Sequence, residues 1–134
     1  MARRDFDLPA GDVLFLDASG LPWETVLEGR THWLVVRNRP LPVGYTAERA
    51  DVALLIPAGY ADTQIDMAYF DPPLACVDGR PIAALAQHSL LGRAWQRWSR
   101  HRTPQNPWRP GIDDIAGHLL LVDAWLRAEI GGAP

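Results

Sequence analysis

The chain has 134 residues, a formal charge of −3 and a single cysteine. That length suits one domain over residues 1–134, burying roughly two-thirds of its surface on folding. Its aliphatic content and six tryptophans argue against disorder, the lone Cys76 excludes an internal disulfide, and no apolar run nears the ~20 residues of a membrane span.

The opening residues, MARRDFDLPAGD, carry two arginines with no apolar stretch behind them, unlike a secretory signal. A cytoplasmic protein is expected, in keeping with the free thiol. DVLFLDASG (12–20) is a short apolar element that reads equally as strand or helix, stopped by Ser19-Gly20 and Pro22. WETVLEG (23–29) and THWLVVRN (31–38) are rich in β-branched and aromatic residues and read as two strands joined at Gly29-Arg30. RPLPVGY (39–45) is a connection, because Pro40 and Pro42 cannot donate to a central ladder. ADVALLIP (50–57) is a third strand, and IDMAYFD (65–71) alternates well enough for a fourth, closed by Pro72-Pro73. Such short spacing favours an antiparallel meander.

After ACVDGRP (75–81) the pattern changes. PIAALAQHSLLG (81–92) predicts a short helix, with Pro81 at its first position and Gly92 at its end. RAWQRWSRH (93–101) fits both periods, and RTPQNPWRPG (102–111), with three prolines, is loop. Ile112, Ile115, Leu119, Val122 and Leu126 then line one face of a helix from about Gly111 to Glu129, with Leu119 and Trp125 in its core. Asp113 and Asp114 sit in its first turn and Gly131-Gly132 end it.

Charge is unevenly spread along the chain. No acid lies between Asp78 and Asp113, whereas Arg80, Arg93, Arg97, Arg100, Arg102 and Arg109 all do. The chain has no lysine, which fits a GC-rich coding bias and also a system that modifies lysines. Within this basic island, AWQRWSRHRTPQNPW (94–108) holds three tryptophans and three arginines. That alternation fits a single-strand nucleic-acid platform, in which cations hold phosphates and rings stack on bases. An acidic chain, and tryptophans spaced by three, fit a core-anchored protein interface better, since Trp and Arg dominate interface hot spots. Nucleic acid is accordingly not the expected partner.

The other chemistries are thin. Cys76 lies between apolar neighbours in LACVDG, with no basic residue nearer than Arg80 to lower its pKa, and reads as a small buried hydrophobe. Ser99 and His101 invite a hydrolase reading, but a serine nucleophile needs a base within hydrogen-bond reach, and no G-x-S-x-G turn is present. Four scattered histidines with Asp62, Asp66 and Asp71 form no metal-ligand spacing, so neither metal nor cofactor is implied.

The order of elements, with IPAGYADTQIDMAYFDPPL (56–74), WRPG and a final amphipathic helix, resembles the ubiquitin-conjugating (E2) fold. LPWETVLEG, LPVGY, IPAGYADTQIDMAYF, WQRWSRH and WRPGIDD more narrowly resemble prokaryotic E2 family E, from about Leu8 to Leu126. The resemblance implies an α+β, E2-like architecture: a four-stranded antiparallel meander, an irregular tryptophan-rich active-site-like segment, and a C-terminal helix on the sheet. It implies a ubiquitin-like protein and an E1-like activating enzyme as partners, with a JAB-type peptidase in the same pathway. Tyr60 resembles the tyrosine of the turn after the third strand, and Trp108-Arg109-Pro110 resembles the Trp-x-Pro step into the helix. The expected thioester cysteine before that step is missing, as is the His-Pro-Asn motif. Ser99, Arg100 and His101 stand in the region, and Cys76 lies too early. The resulting expectation is a non-thioester adaptor, with an atypical transferase using Ser99 and His101 as the alternative. Tyr60, Trp95, Trp98, Trp108 and Pro110 would anchor the loop, with Trp98 and Trp108 mostly buried. Arg97, Arg100, His101, Arg102 and Arg109 would face the partner.

Overall fold

A computed structural model describes residues 2–131. Helix α1 spans Ala10–Ala18, followed by strands β1 (Trp23–Glu28), β2 (Thr31–Pro40), β3 (Arg49–Ile56), β4 (Ala68–Asp71), β5 (Leu85–Leu90) and β6 (Arg93–Trp98), and helix α2 (Ile115–Glu129). The strands form one antiparallel sheet in the order β1-β2-β3-β4-β6-β5. The meander through β4 matches the expectation. The sheet, however, has six strands rather than four.

The two additional strands replace the helix expected over residues 81–92. Leu91 and Gly92 both take positive φ, 55° and 72°, and close a two-residue turn between Leu90 and Arg93. Two left-handed turn residues give the chain the twist an antiparallel hairpin needs. The alanines and leucines of this stretch favour helix only weakly, and cross-strand packing outweighs them. Trp95 and Leu90 are buried together, with the Trp95 indole N–H donating to the Leu90 carbonyl at 2.9 Å. Trp95 and Trp98 therefore belong to a regular strand rather than to an irregular segment.

The ambiguous DVLFLDASG stretch is helical. Asp12 and Leu16, four apart, are its buried residues, and the Ser19 hydroxyl closes the last turn on the Leu16 carbonyl at 2.6 Å. At the other end of the chain, α2 starts at Ile115, later than Gly111. Asp114 is extended (φ −154°) and caps the helix, its carboxylate accepting the Gly117 N–H at 2.9 Å. Ile112 is thus outside the helix and 65% exposed, not part of its apolar face. Leu119 is buried as expected, whereas Trp125 is only partly buried against the core. Of the glycine pair expected to end α2, Gly131 takes a left-handed φ of 74° just beyond it; Gly132 lies outside the described residues.

Strand alternation splits the apolar residues between two cores. Leu34, Val36, Val52, Leu54, Phe70 and Trp98 face α1 and α2. Val26, Trp33, Val35, Ala53, Tyr69 and Trp95 fill the opposite face with Leu90. That second face is enclosed because the sheet curls: the Leu91 N–H at the β5–β6 turn donates to Glu28 Oε1 at the end of β1, 3.0 Å away.

Candidate functional site

The basic segment leaves β6 at Trp98 and enters α2 at Asp114. Its course is set by anchors far away in sequence. The Trp108 indole N–H donates to the Ala61 carbonyl at 2.9 Å, and the Trp108 and Tyr60 rings lie 6.1 Å apart. The tyrosine turn and the Trp-x-Pro step are therefore one contact. Tyr60 in turn donates its hydroxyl to buried Asp12 at 2.8 Å and accepts the Ile115 N–H at 3.0 Å, tying α1 to the start of α2. Burial pushes the Asp12 carboxyl up, against the lowering effect of the Tyr60 hydroxyl. Burial and the Asp12 bond together push the Tyr60 hydroxyl up, so Tyr60 stays a donor.

The anchors are unequal. Trp95 and Trp98 are fully buried, and the Trp98 indole donates to Gln96 at 2.8 Å. Trp108 is only half-buried, short of the expected burial, and Pro110 is exposed. Pro110 instead precedes Gly111, whose φ of 80° turns the chain toward α2.

The arginines separate by environment. Arg100 is only 19% exposed and is consumed internally: it stacks on Trp98 at 4.9 Å, donates to the Ala83 carbonyl at 3.1 Å and pairs with Glu129 at 3.3 Å. Arg102 lies 4.8 Å over the Trp108 ring and approaches His118 Nδ1 at 3.5 Å, while its Nε is buried without a partner. Arg109 is exposed but engages Asp113 four residues on, its backbone N–H donating at 2.6 Å. Arg97 lies on β6 opposite Tyr69, and its side chain has no hydrogen-bond partner among the described residues.

Two histidines complete the site. His118, on the core-facing side of α2, is fully buried and its Nε2–H donates to the Met67 carbonyl at 2.9 Å. Nδ1 is therefore the bare nitrogen that meets Arg102. Burial first, and Arg102 after it, hold the imidazole below its usual pKa, against the opposing Met67 bond. His101 is the reverse case. Its side chain is 62% exposed, and its Nδ1 lies 2.8 Å from Asp66 Oδ2, which leaves Nε2 turned to solvent. Asp66 Oδ1 is buried without a partner.

Ser99 is half-buried; its backbone N–H donates to Ala84 at 3.0 Å, but no hydrogen bond joins it to His101 among the described residues. Cys76 is 4% exposed and sits in the helix-side core, its backbone bridged to Tyr45. Among the described residues no group of three or more His, Cys, Asp or Glu could hold a metal ion, and no helix is long and apolar enough to cross a membrane.

Asp66, Tyr69, Asp12 and His118 are parts of this site that the sequence reading did not assign. His118 alone left a signal, three residues after Ile115 on the apolar face of α2. Compared with known proteins, the chain matches the family model described as prokaryotic E2 family E over residues 8–129. No curated protein and no solved structure matches it.

Proposed function

The chain belongs to prokaryotic E2 family E, and on that premise we propose that it is a non-thioester adaptor of a bacterial ubiquitin-like pathway. An E2-like role in such a pathway follows from the family; the adaptor role rests on one observation. The chain's only cysteine is Cys76, and it is sealed in the core at 4% exposure. A thioester there would require a thiolate in an apolar setting and a partner's carboxyl group inside the packed sheet–helix layer. The segment that stands in place of the thioester loop is instead mostly exposed. His101 and Arg109 present their side chains to solvent, while Arg100 and Arg102 brace it from beneath. In this reading His101, Arg97 and Arg109 contact the ubiquitin-like protein or the E1-like enzyme, and Arg100 and Arg102 hold the segment in place.

The atypical transferase has one observation in its favour. Asp66 holds His101 so that a neutral ring turns its bare nitrogen outward, as a proton acceptor does. It lacks a nucleophile from the chain, since Ser99 is not bonded to that ring. The test combines the purified chain with a ubiquitin-like protein and an E1-like enzyme. Cys76→Ser should leave partner affinity and conjugate yield unchanged, and His101→Ala should weaken affinity. A reducible thioester on Cys76 would sink the adaptor. Loss of conjugates at unchanged affinity in both His101→Ala and Ser99→Ala would make the protein a transferase.

A further inference from the structure

The fully buried His118 is surrounded by groups from three parts of the chain. On α2 itself, the Trp125 ring meets the imidazole edge-on at 5.6 Å, and the His118 backbone N–H donates to the Asp114 carbonyl at 3.0 Å. The stretch before β4 supplies the Met67 carbonyl, which takes Nε2–H at 2.9 Å, and Asp66, whose charge acts on the ring. The segment after β6 supplies Arg102, whose Nη2 lies 3.5 Å from Nδ1. His101 joins this cluster through Asp66, 2.8 Å away. Arg102 also feels Asp113, but that carboxylate is taken by Arg109 at 3.4 Å.

The two sides of the cluster are held very differently. The imidazole is fixed by its own helix, by Trp125 and by the Met67 carbonyl. Arg102 has no carboxylate partner among the described residues. It rests 4.8 Å over the Trp108 ring, and its Nε is buried without an acceptor. Arg100, two residues earlier, is by contrast bonded to both Ala83 and Glu129. Beyond Arg102 the chain is exposed from residue 103 to 107, where the Asn106 N–H turns back on the Thr103 carbonyl at 2.9 Å. Arg102 is therefore the member that can yield.

A proton on His118 gives it reason to yield. Neutral His118 meets Arg102 as an acceptor, through the lone pair on Nδ1. Protonation turns Nδ1 into a donor, so that donor faces donor and cation faces cation at 3.5 Å. His118 cannot retreat without giving up Met67 and its place against Trp125. Asp66 favours the charged ring, and its buried Oδ1 has no partner of its own. We infer that His118 is a proton switch: when it takes a proton from water, Arg102 swings out to solvent and uncovers the face of Trp108.

Burial first, and Arg102 after it, keep the ring neutral while the cluster is closed. The closed arrangement is thus complete above the ordinary imidazole value of about 6.5 and is lost as pH falls through the folded pKa. One proton separates the two states, so between those values the open fraction should rise about tenfold per pH unit. The switch belongs to the chain alone and stands whether or not the adaptor reading does. Nuclear magnetic resonance of the isotope-labelled full chain, titrated from pH 7.5 to pH 4.5, tests it. The His118 ring, the Arg102 Nε–H and the Trp108 indole N–H should move with one midpoint. The Trp95 indole N–H, bonded to the Leu90 carbonyl in the opposite core, should not move with them. His118→Gln should abolish the shared midpoint. Arg102→Gln should raise the His118 midpoint, because a neighbouring cation is gone, and should uncouple Trp108 from it. No titration of His118 in this range, Arg102 and Trp108 signals that ignore it, or the same midpoint in His118→Gln would each overturn the switch. Loss of the Trp95 signal at that midpoint would also overturn it, since the event would then be unfolding. Should His118→Gln fail to fold, the titrations of the unaltered chain and of Arg102→Gln decide the matter.

Discussion

Replacing Tyr60 by phenylalanine removes one oxygen and breaks the junction of three elements. The hydroxyl donates to Asp12 at 2.8 Å and accepts the Ile115 N–H at 3.0 Å. Without it, the buried Asp12 carboxylate loses its side-chain donor, and the Ile115 N–H keeps only the longer 3.4 Å contact to Asp12 Oδ1. A hydrogen bond to a charged group is worth about 1.5–3 kcal/mol, and a poorly satisfied buried amide adds a further fraction. The expected loss at neutral pH is thus about 2–4 kcal/mol, or a fall in Tm on the order of 10 °C for a chain of this size. The loss should depend on pH, with a sign set by Asp12. Burial raises its folded pKa above the unfolded value, so the folded state binds the proton more readily. The stability from that proton is full below the ordinary carboxylate pKa of about 4 and disappears as pH rises through the folded pKa. Tyr60→Phe removes a contact that favours the ionised form, so its penalty should shrink as pH falls through that window. Urea unfolding of both proteins between pH 7 and pH 4 measures it. A penalty below about 0.5 kcal/mol, or one of the same size at both ends, would refute the assignment of the Asp12–Tyr60–Ile115 junction.

The tryptophans should rank by burial. Trp98→Ala should cost roughly 3–5 kcal/mol and Trp108→Ala clearly less, in chemical denaturation; a reversed order would mean that Trp108, not Trp98, carries the packing. His118 should make the protein acid-sensitive. Its folded pKa lies below the unfolded value of about 6.5, so the stability it allows is present above that value and is lost as pH falls through the folded pKa. His118→Gln should flatten the decline in unfolding free energy from pH 7 to pH 5, and an unchanged slope would place the titrating group elsewhere.

Local pattern was sufficient for much of the fold. Richness in β-branched and aromatic residues marks the strands β1 to β4, of which β2 and β4 bury both faces, and a 3.6-residue apolar period marks α2, which buries one. Its apolar neighbours placed Cys76 inside, and the quoted motifs pointed to the family that the comparison found over residues 8–129. Residues 81–98 resisted because their alanines and leucines are compatible with both periods. What decides for a hairpin is a partner distant in the chain, the β4 edge that takes Trp98, Arg97 and Gln96 against Ala68, Tyr69 and Phe70. The curl that brings Leu91 to Glu28 across the sheet is likewise a property of the closed structure. The site shows the same division. Composition revealed a cluster of arginines and tryptophans around His101, but not which charges were already neutralised. Arg100 and Arg102 became braces and Arg97 stayed unpaired because Glu129, His118 and Tyr69 arrive from other elements. Electrostatic pairing acts through distances of a few ångströms, and only the tertiary structure sets those distances for residues tens of positions apart.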